Sequence, residues 1–476
     1  MRKVITNIYL GVALSGILMT GCVATNPIGQ TPLKSIPESF SGKKDSTNSA
    51  SVNWKSYFSD PILVGLIDTA LQNNLDLRMA AQKIEIARAN VKFSNGLALP
   101  TGSVTGSAGQ QKFGDYTMDA AGNRGTTIYN NQAVPKNLQD FNLGFVSSWE
   151  VDFWGKLKNT RKSAVAQYLS SVEGKNWTVT NLVAEVASGY YELLALDNEL
   201  DIISESIQLQ DSALHVVNIQ RQVGVVNELA VKQFEAQVLN SKKMEIDTQQ
   251  KISQTENRLN FLLGRYPQPI ARTKSAFSHL VPPQVKIGIP ANLLENRPDV
   301  KQAEYDLLAS KANVKMAKAA FYPTISISAS VGREAFKTSL LTSPESFAYN
   351  VAGNLVAPLI NRSALKAQFR SATAAQTEAL YNYQKSILNS YMEVYNEMVN
   401  LKSVEKALDL KSKEVNTLNQ AVTSSNQLFK TGRANYLEVL TVQANVLQSK
   451  IELVETMKDQ YTSVVSIYKA LGGGWK

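Results

Sequence analysis

Apolar residues recur at every seventh position along two long tracts of the chain. Val186, Leu193, Leu200, Ile207 and Leu214 mark the first, with Leu182, Leu196, Ile203 and Val217 filling a second seam. Leu380, Ile387, Val394, Leu401, Leu408, Val415, Val422 and Phe429 mark the other tract, and the two series superpose at an offset of 208 residues. A heptad sustained this long predicts supercoiled helices. No proline falls between 157 and 266 or between 359 and 471. At about 1.5 Å per residue, a helix of some 65 residues would run roughly 100 Å, far beyond the needs of a globular core. Each tract ends at a glycine, Gly224 or Gly432, able to take the left-handed conformation that stops a helix. The apolar pattern then resumes through Leu229, Val238, Leu259 and Leu262, or through Leu437, Val446, Ile451 and Val464. Each half therefore reads as a long helix, a tight turn and a returning helix.

The halves are related by duplication, which governs any further reading. "ANVKFSNGLALPT" at 89–101 corresponds to "ANVKMAKAAFYPT" at 312–324, and "GVVNELAVKQFEAQVL" at 224–239 to "GRANYLEVLTVQANVL" at 432–447. The first pair is offset by 223 residues and the second by 208, so the first half carries fifteen extra residues in between. After Pro100 and Pro323 the heptad gives way to alternation, in "TGSVTGSAGQ" and "TISISASVG", which predicts strands. Two strands are expected per half, at about 100–112 and 140–154 and at about 324–333 and 348–360. The loops between them, near 111–139 and 333–347, account for the extra length, since such changes collect at exposed tips.

The amino end shows Arg2 and Lys3, an apolar run from Ile8 to Met19, and Thr20-Gly21 before Cys22, the sole cysteine. The run is too short to span a bilayer and reads as a secretory signal over 1–21. Cys22 at its end resembles the bacterial lipobox, whose cysteine becomes the acylated first residue, and Val23 after it implies the outer membrane. Residues 22–53, rich in Ser, Thr, Pro, Gly and Lys, read as a tether. The remaining organisation is a first repeat over 54–264, a linker over 265–290 and a second repeat over 291–476. Net charge is +9. Its Lys and Arg are scattered without interleaved aromatics, so nucleic acid is not the expected partner, and the balance reads as solvated helix faces.

No later stretch approaches eighteen uninterrupted apolar residues, so a membrane crossing would have to be made by strands. An open sheet cannot span lipid, because each unpaired edge group costs several kcal/mol. Four strands are fewer than the eight of the smallest closed barrels, so the barrel must be shared with copies of the same chain. Two copies give eight strands and a filled interior; three give twelve. The strands are rich in Ser, Thr, Gly and Ala rather than strongly apolar outward.

The chain from about 54 to 475 resembles the TolC-like outer-membrane efflux proteins, specifically their lipoprotein branch, the outer-membrane factors of RND-type efflux. The stretches that carry the likeness are "DPILVGLIDTALQNNLDLRMAAQKIEIARAN", "WEVDFWGK", "LLENRPDVKQAEYDLLASKANVKMAKAAFYPTISIS", "TGRANYLEVLTVQANVL" and "YKALGGGW". The resemblance implies a mixed fold: a long α-helical coiled-coil tunnel continuous with a transmembrane β-barrel, four strands per chain and twelve in a homotrimer. It also implies a periplasmic adaptor and an inner-membrane pump as partners. Hairpin tips around Arg221, Gly224, Val225, Gly432 and Arg433 would meet the adaptor. The second hairpin would close the periplasmic end, with Glu438 as the acidic gate position, Leu437 as an apolar ring and Thr441 where a second acidic residue is common.

The sequence holds two histidines, His215 and His279, and no cysteine beyond Cys22. The usual nucleophile–base pairs and His/Cys metal sites therefore lack parts, and carboxylates such as Glu192 and Glu199 suit helix faces. The reading is a passive exit duct with no catalytic residues, cofactor or metal. Polypeptide export by a similar trimer and a non-conducting envelope scaffold remain alternatives at this level.

Overall fold

A computed structural model describes residues 37, 39–40, 49–128, 131–273, 277, 286–360 and 362–476. Cys22, the signal segment and His279 lie outside the described residues, as does the tether except for residues 37, 39–40 and 49–53. Seven helices organise the rest: α1 (Pro61–Asn73), α2 (Leu75–Gly96), α3 (Lys156–Gln222), α4 (Glu228–Leu262), α5 (Pro298–Ala319), α6 (Ser363–Lys430) and α7 (Tyr436–Ala470). Four long strands complete it: β1 (Thr101–Gln111), β2 (Leu138–Val151), β3 (Thr324–Ala335) and β4 (Phe347–Val356), besides a short antiparallel pair, Thr127–Ile128 with Gln132–Ala133, between β1 and β2. The heptad tracts are the 67-residue α3 and the 68-residue α6, and each return helix has 35 residues. Among the described residues no helix is long and apolar enough to cross a membrane.

Both hairpins turn by the same mechanism. Gly224 (φ 78°) and Gly432 (φ 72°) occupy the left-handed region. Val225 N donates to Gln220 O at 2.9 Å and Arg433 N to Leu428 O at 2.8 Å, the bonds of a Schellman stop. Three residues beyond each glycine an asparagine opens the return helix. Asn227 accepts from Ala230 N and Asn435 from Glu438 N, as N-caps do.

Two short helices flank each long one. In the first half α2 and α4 both pack on α3; in the second, α5 and α7 both pack on α6. Their ends meet at the equator through equivalent contacts. Asn74 Nδ2 donates to Leu262 O at 3.0 Å, and Arg297, 223 positions on, donates from Nη1 to Ala470 O at 2.9 Å. Beside these bonds Gly264 and Gly472 press so closely on Asn73 and Asn296 that a Cβ would stand 2.5 and 2.6 Å from a carbonyl oxygen. Positive φ at both, 66° and 87°, makes glycine the residue that fits. Arg297 is the more elaborate partner. Its guanidinium is 1% exposed, holds both carboxylate oxygens of Asp299, bonds Glu393 on α6 at 2.6 Å and lies 5.1 Å from the Trp177 ring of α3.

The largest core also sits at the equator, where α1, the middle of α3 and the end of α7 converge on Ile67, Tyr190, Leu193, Val465 and Tyr468. Tyr57 and Tyr468 stack at 4.0 Å and Tyr191 and Tyr461 at 5.1 Å. Their hydroxyls are satisfied where bonded: Tyr190 donates to Asp60 Oδ2 at 2.7 Å and Tyr468 to Val52 O at 2.7 Å. Desolvation raises the ionisation of these phenols, Tyr468 to about 12 and Tyr57, Tyr190 and Tyr191 further. The unfolded chain ionises near pH 10, so above that pH it binds fewer protons than the fold. Stability is therefore complete below about pH 10 and declines beyond it, by about 1.4 kcal/mol per pH unit for each phenol kept neutral. The urea midpoint is expected to hold from pH 7 to 9 and drop between pH 10 and 12; a flat profile would overturn this account.

Candidate duct, gate and hairpin tips

The strands form one antiparallel sheet in the order β1-β2-β3-β4. The connection from β2 to β3 runs through the first hairpin and α5, so β2–β3 pairing joins the two halves. Its register, Leu143 opposite Arg333 and Trp149 opposite Ile327, sorts the side chains into two faces. One face carries Val104, Leu143, Phe145, Trp149, Ile327, Val331, Tyr349, Val351 and Leu355. The other carries Thr101, Ser103, Thr105, Asn142, Ser148, Ser326, Ser328, Ser330, Asn350 and Asn354. The expectation of strands that are not strongly apolar outward holds for β1, where Val104 stands among Gly102, Gly106 and Ala108. It is corrected for β2, β3 and β4, whose rows on this face are mainly apolar and are interrupted at Ser147 and Gly353. Such a sheet has a lipid side and a water side.

Aromatic residues bound the apolar band. At the helix-proximal end Trp149 Nε1 donates to Ala98 O at 3.1 Å, Trp154 Nε1 donates to Pro323 O at 2.7 Å, and Trp154 stacks on Tyr322 at 4.7 Å. Phe347 and Tyr349 stand at the far end. From Tyr322 to Arg333, which pairs with Phe347, the strand rises roughly 36 Å, or about 28 Å along the membrane normal at a tilt near 40°. Interfacial belts at that separation match an outer-membrane hydrocarbon layer.

The loops beyond the sheet cover 112–137 and 336–346, 26 and 11 residues, which places the fifteen extra residues there. The longer loop has its own helix, Met118–Gly125, and the Arg124–Asp115 ion pair.

Each margin of the protomer is unpartnered along its length. β1 and β4 each pair on one side only. Below β1, α2 exposes Leu75, Met79, Ile86 and Phe93; below β4, α6 exposes Tyr381, Leu388, Met392, Tyr395 and Val399. The second set follows heptad spacing, separate from the seam α6 uses within the chain.

The two hairpin tips lie together, as Val217, Ala230 and Phe234 pack against Tyr436 and Leu440. Arg221, Gly224, Val225, Gly432 and Arg433 are thus gathered at one end. Arg221 bonds Glu228 at 2.6 Å across the first turn, and that hydrogen bond holds the Glu228 carboxyl below its ordinary range. Val225 is exposed, as are Val223 and Leu229. Leu437, Glu438 and Thr441 share one exposed face of α7, while Val439, Val446 and Leu447 point into the protomer. Glu438 has a local task as well: its carboxylate accepts from Asn435 Nδ2 at 3.0 Å while its N–H donates to Asn435 Oδ1 at 3.0 Å. This is an N-cap closed by a side-chain pair, with the capping-box spacing legible in "NYLE" at 435–438, although the Glu438 carboxylate meets the Asn435 side chain rather than its backbone N–H. Between the hairpins a cleft of about 370 Å³ is lined by Gln210, Gln220, Gln443 and Phe429. Among the described residues no cluster of three His, Cys, Asp or Glu is grouped to hold a metal.

A two-faced sheet bounded by aromatic belts, set on helical hairpins roughly 100 Å long, defines a membrane-spanning protein with a long helical extension. Residues 66–265 and 289–473 match the model of the outer membrane efflux protein family, and the chain belongs to that family. It is a protein of the outer membrane. It is 26% identical over 463 residues to the probable outer membrane lipoprotein SilC of Salmonella typhimurium, covering 96% of this chain and 97% of that one. The cation efflux system protein CusC of Escherichia coli K12 is 28% identical, with 96% and 97% covered. The toluene efflux pump outer membrane protein TtgI of Pseudomonas putida is also 28% identical, with 98% of each covered. A crystal structure of CusC superposes with a TM-score of 0.81 at 26% identity, covering 94% of this chain and 98% of that one.

The sheet's tightest point yields a test. Gly144 and Gly332 face one another, and a Cβ on Gly332 would stand 2.6 Å from Leu143 O and Gly144 Cα. Gly332→Val is expected to prevent β2–β3 pairing, so the chain is synthesised but missing from the outer-membrane fraction. Gly353→Val, where nothing lies within 4 Å of the added Cβ, should insert normally.

Proposed function

We propose that three copies associate head to tail, the β4/α6 margin of one on the β1/α2 margin of the next, to close a twelve-stranded barrel over a helical tunnel. The observation that carries this reading is the pair of unlike, unpartnered margins on one protomer. A heterologous contact of that kind propagates until rotation closes it into a ring. Twelve strands leave a passage where eight would be filled, and every edge amide then finds a partner in lipid.

The ring is a passive exit duct for drugs or other small molecules, anchored further by acylation at Cys22. Cargo is handed to it by an inner-membrane pump through a periplasmic adaptor that meets the tips around Gly224, Val225, Gly432 and Arg433. The duct carries out no chemical step, and energy enters at the pump. Relatives of nearly equal identity are named for cation efflux and for toluene efflux, which supports a duct that does not itself select cargo.

In this reading Leu437, Glu438 and Thr441 ring the periplasmic constriction. Threefold symmetry sets three Glu438 carboxylates around the axis, a ring that favours cations. Thr441 leaves that ring single.

Two outcomes follow. The detergent-solubilised protein should have three times the 52.2 kDa chain mass, less the signal segment and plus acyl chains; a stable monomer inserted in lipid would falsify the shared barrel. In planar bilayers Glu438→Gln, which preserves the capping pattern, should lower cation preference without lowering thermal stability. Glu438→Ala, which also loses the bond to Asn435 Nδ2, should in addition loosen the turn and raise open probability. Unchanged conductance in both variants would remove Glu438 from the constriction.

A further inference from the structure

The chain's positive charge is concentrated in one place. The stretches flanking the strands on their helical side, 89–100, 152–162, 311–323 and 357–370, hold eleven Lys and Arg against the single Asp152. Those segments carry +10, whereas the whole chain carries +9; the remainder has 38 basic and 39 acidic residues. The reading of scattered, solvated charge is thereby corrected. Helix rise places these residues within roughly 18 Å of the strand ends, directly beside the Trp149, Trp154 and Tyr322 belt.

Spacing puts the charges on single faces. Lys158, Arg161 and Lys162 follow i, i+3, i+4 on α3; Lys311, Lys315 and Lys318 follow i, i+4, i+7 on α5; Lys366 and Arg370 are four apart on α6. All eight are exposed, and none has a carboxylate within ion-pair distance among the described residues. Elsewhere exposed cations are commonly paired, as in Lys232–Glu235 and Lys413–Asp409. The two acids nearest the collar are already occupied: Glu150 pairs with Lys156 at 3.0 Å, and Asp152 accepts from Leu157 N at 3.0 Å and Lys158 N at 2.7 Å, capping α3. Arg362, stacked over Phe321 at 5.5 Å, has a buried Nε with no partner.

Uncompensated like charge this dense destabilises a fold unless counter-charge is supplied from outside. The aromatic belt marks the headgroup level, and the cations begin immediately on its helical side. We propose that this collar binds the phosphodiester headgroups of anionic phospholipids in the membrane leaflet facing the helical tunnel, and so selects the lipid around the barrel. Each basic residue near an anionic surface strengthens attraction by about fivefold, an effect that fades within a Debye length and with salt.

Tryptophan fluorescence reads this directly, since Trp149 and Trp154 adjoin the collar. The full-length protein is reconstituted in phosphatidylcholine vesicles containing a fixed fraction of either brominated phosphatidylglycerol or brominated phosphatidylcholine. Phosphatidylglycerol is expected to quench several-fold more effectively, with the preference falling in 0.5 M NaCl, about a 4 Å screening length. Combined Lys158→Gln, Arg161→Gln, Lys162→Gln, Lys366→Gln and Arg370→Gln, which remove five of the eleven cations, should reduce it severalfold. The salt titration needs no variant and stands if that protein fails to fold. Equal quenching by both lipids, or a preference indifferent to salt, overturns the proposal. Quenching by neither lipid would instead overturn the setting of the strands in lipid, and the collar with it.

Discussion

The architecture depends on a splice between helix ends. A 35-residue return helix is far shorter than the 67-residue helix it opposes, so a second helix must continue the column. Asn74 on Leu262 O and Arg297 on Ala470 O make that junction in the two halves, bonding a terminal carbonyl that the helix itself leaves unsatisfied. Asn74 also caps α2 through Leu77 N, so one side chain ends a helix and starts the next. Arg297 adds ties to α6 and α3 and is buried with its charge satisfied by Asp299 and Glu393. Removing a partner from such a site leaves an uncompensated buried charge, which explains why a single guanidinium can hold four helices in register.

Rigidity at the equator matters because the demanding constraints lie at the two ends. In lipid, backbone amides have no water to fall back on, and β1 and β4 need partners aligned along their whole length. The seams on α2 and α6 lie directly beneath those strands. Strand and helix margins can therefore engage a neighbour together only if the columns keep one angle to the sheet. At the opposite end Leu437, Glu438 and Thr441 project from a helix whose direction is fixed by the same splice. In the proposed ring, barrel closure and the position of the α7 tip would both follow from one helical frame.

Much of this was legible because duplication and local periodicity are sequence-local signals. Heptads from Val186 and Leu380 marked α3 and α6, the glycines marked the turns, and the 223-residue offset aligned β1 with β3. Other features depended on pairing across long separations. β1 reads as Gly, Ser and Thr until Val104 is set beside Phe145, and Phe145 beside Val331; only the register assembles an apolar face from residues that are individually sparse. The splice was equally hidden, since Asn74 and Leu262 lie 188 residues apart. The capping role of Glu438, by contrast, was written locally in "NYLE".

Capping and gating place opposite demands on Glu438. As the third residue of α7 it sits at the positive end of the helix dipole and its carboxylate accepts from Asn435 Nδ2. In the proposed trimer three such carboxylates would face one another around the axis and repel. Because Asn435 is supplied within each protomer, the side chain is anchored before any neighbour arrives, and in the proposed ring the repulsion would act on the position of the hairpin. The turn at Gly432 is left-handed, with nothing within 4 Å of the place a side chain would take. In that proposed ring a carboxylate anchored to its own helix and repelled by its copies would push the second hairpin outward, against the apolar contacts that Tyr436 and Leu440 make with the first tip.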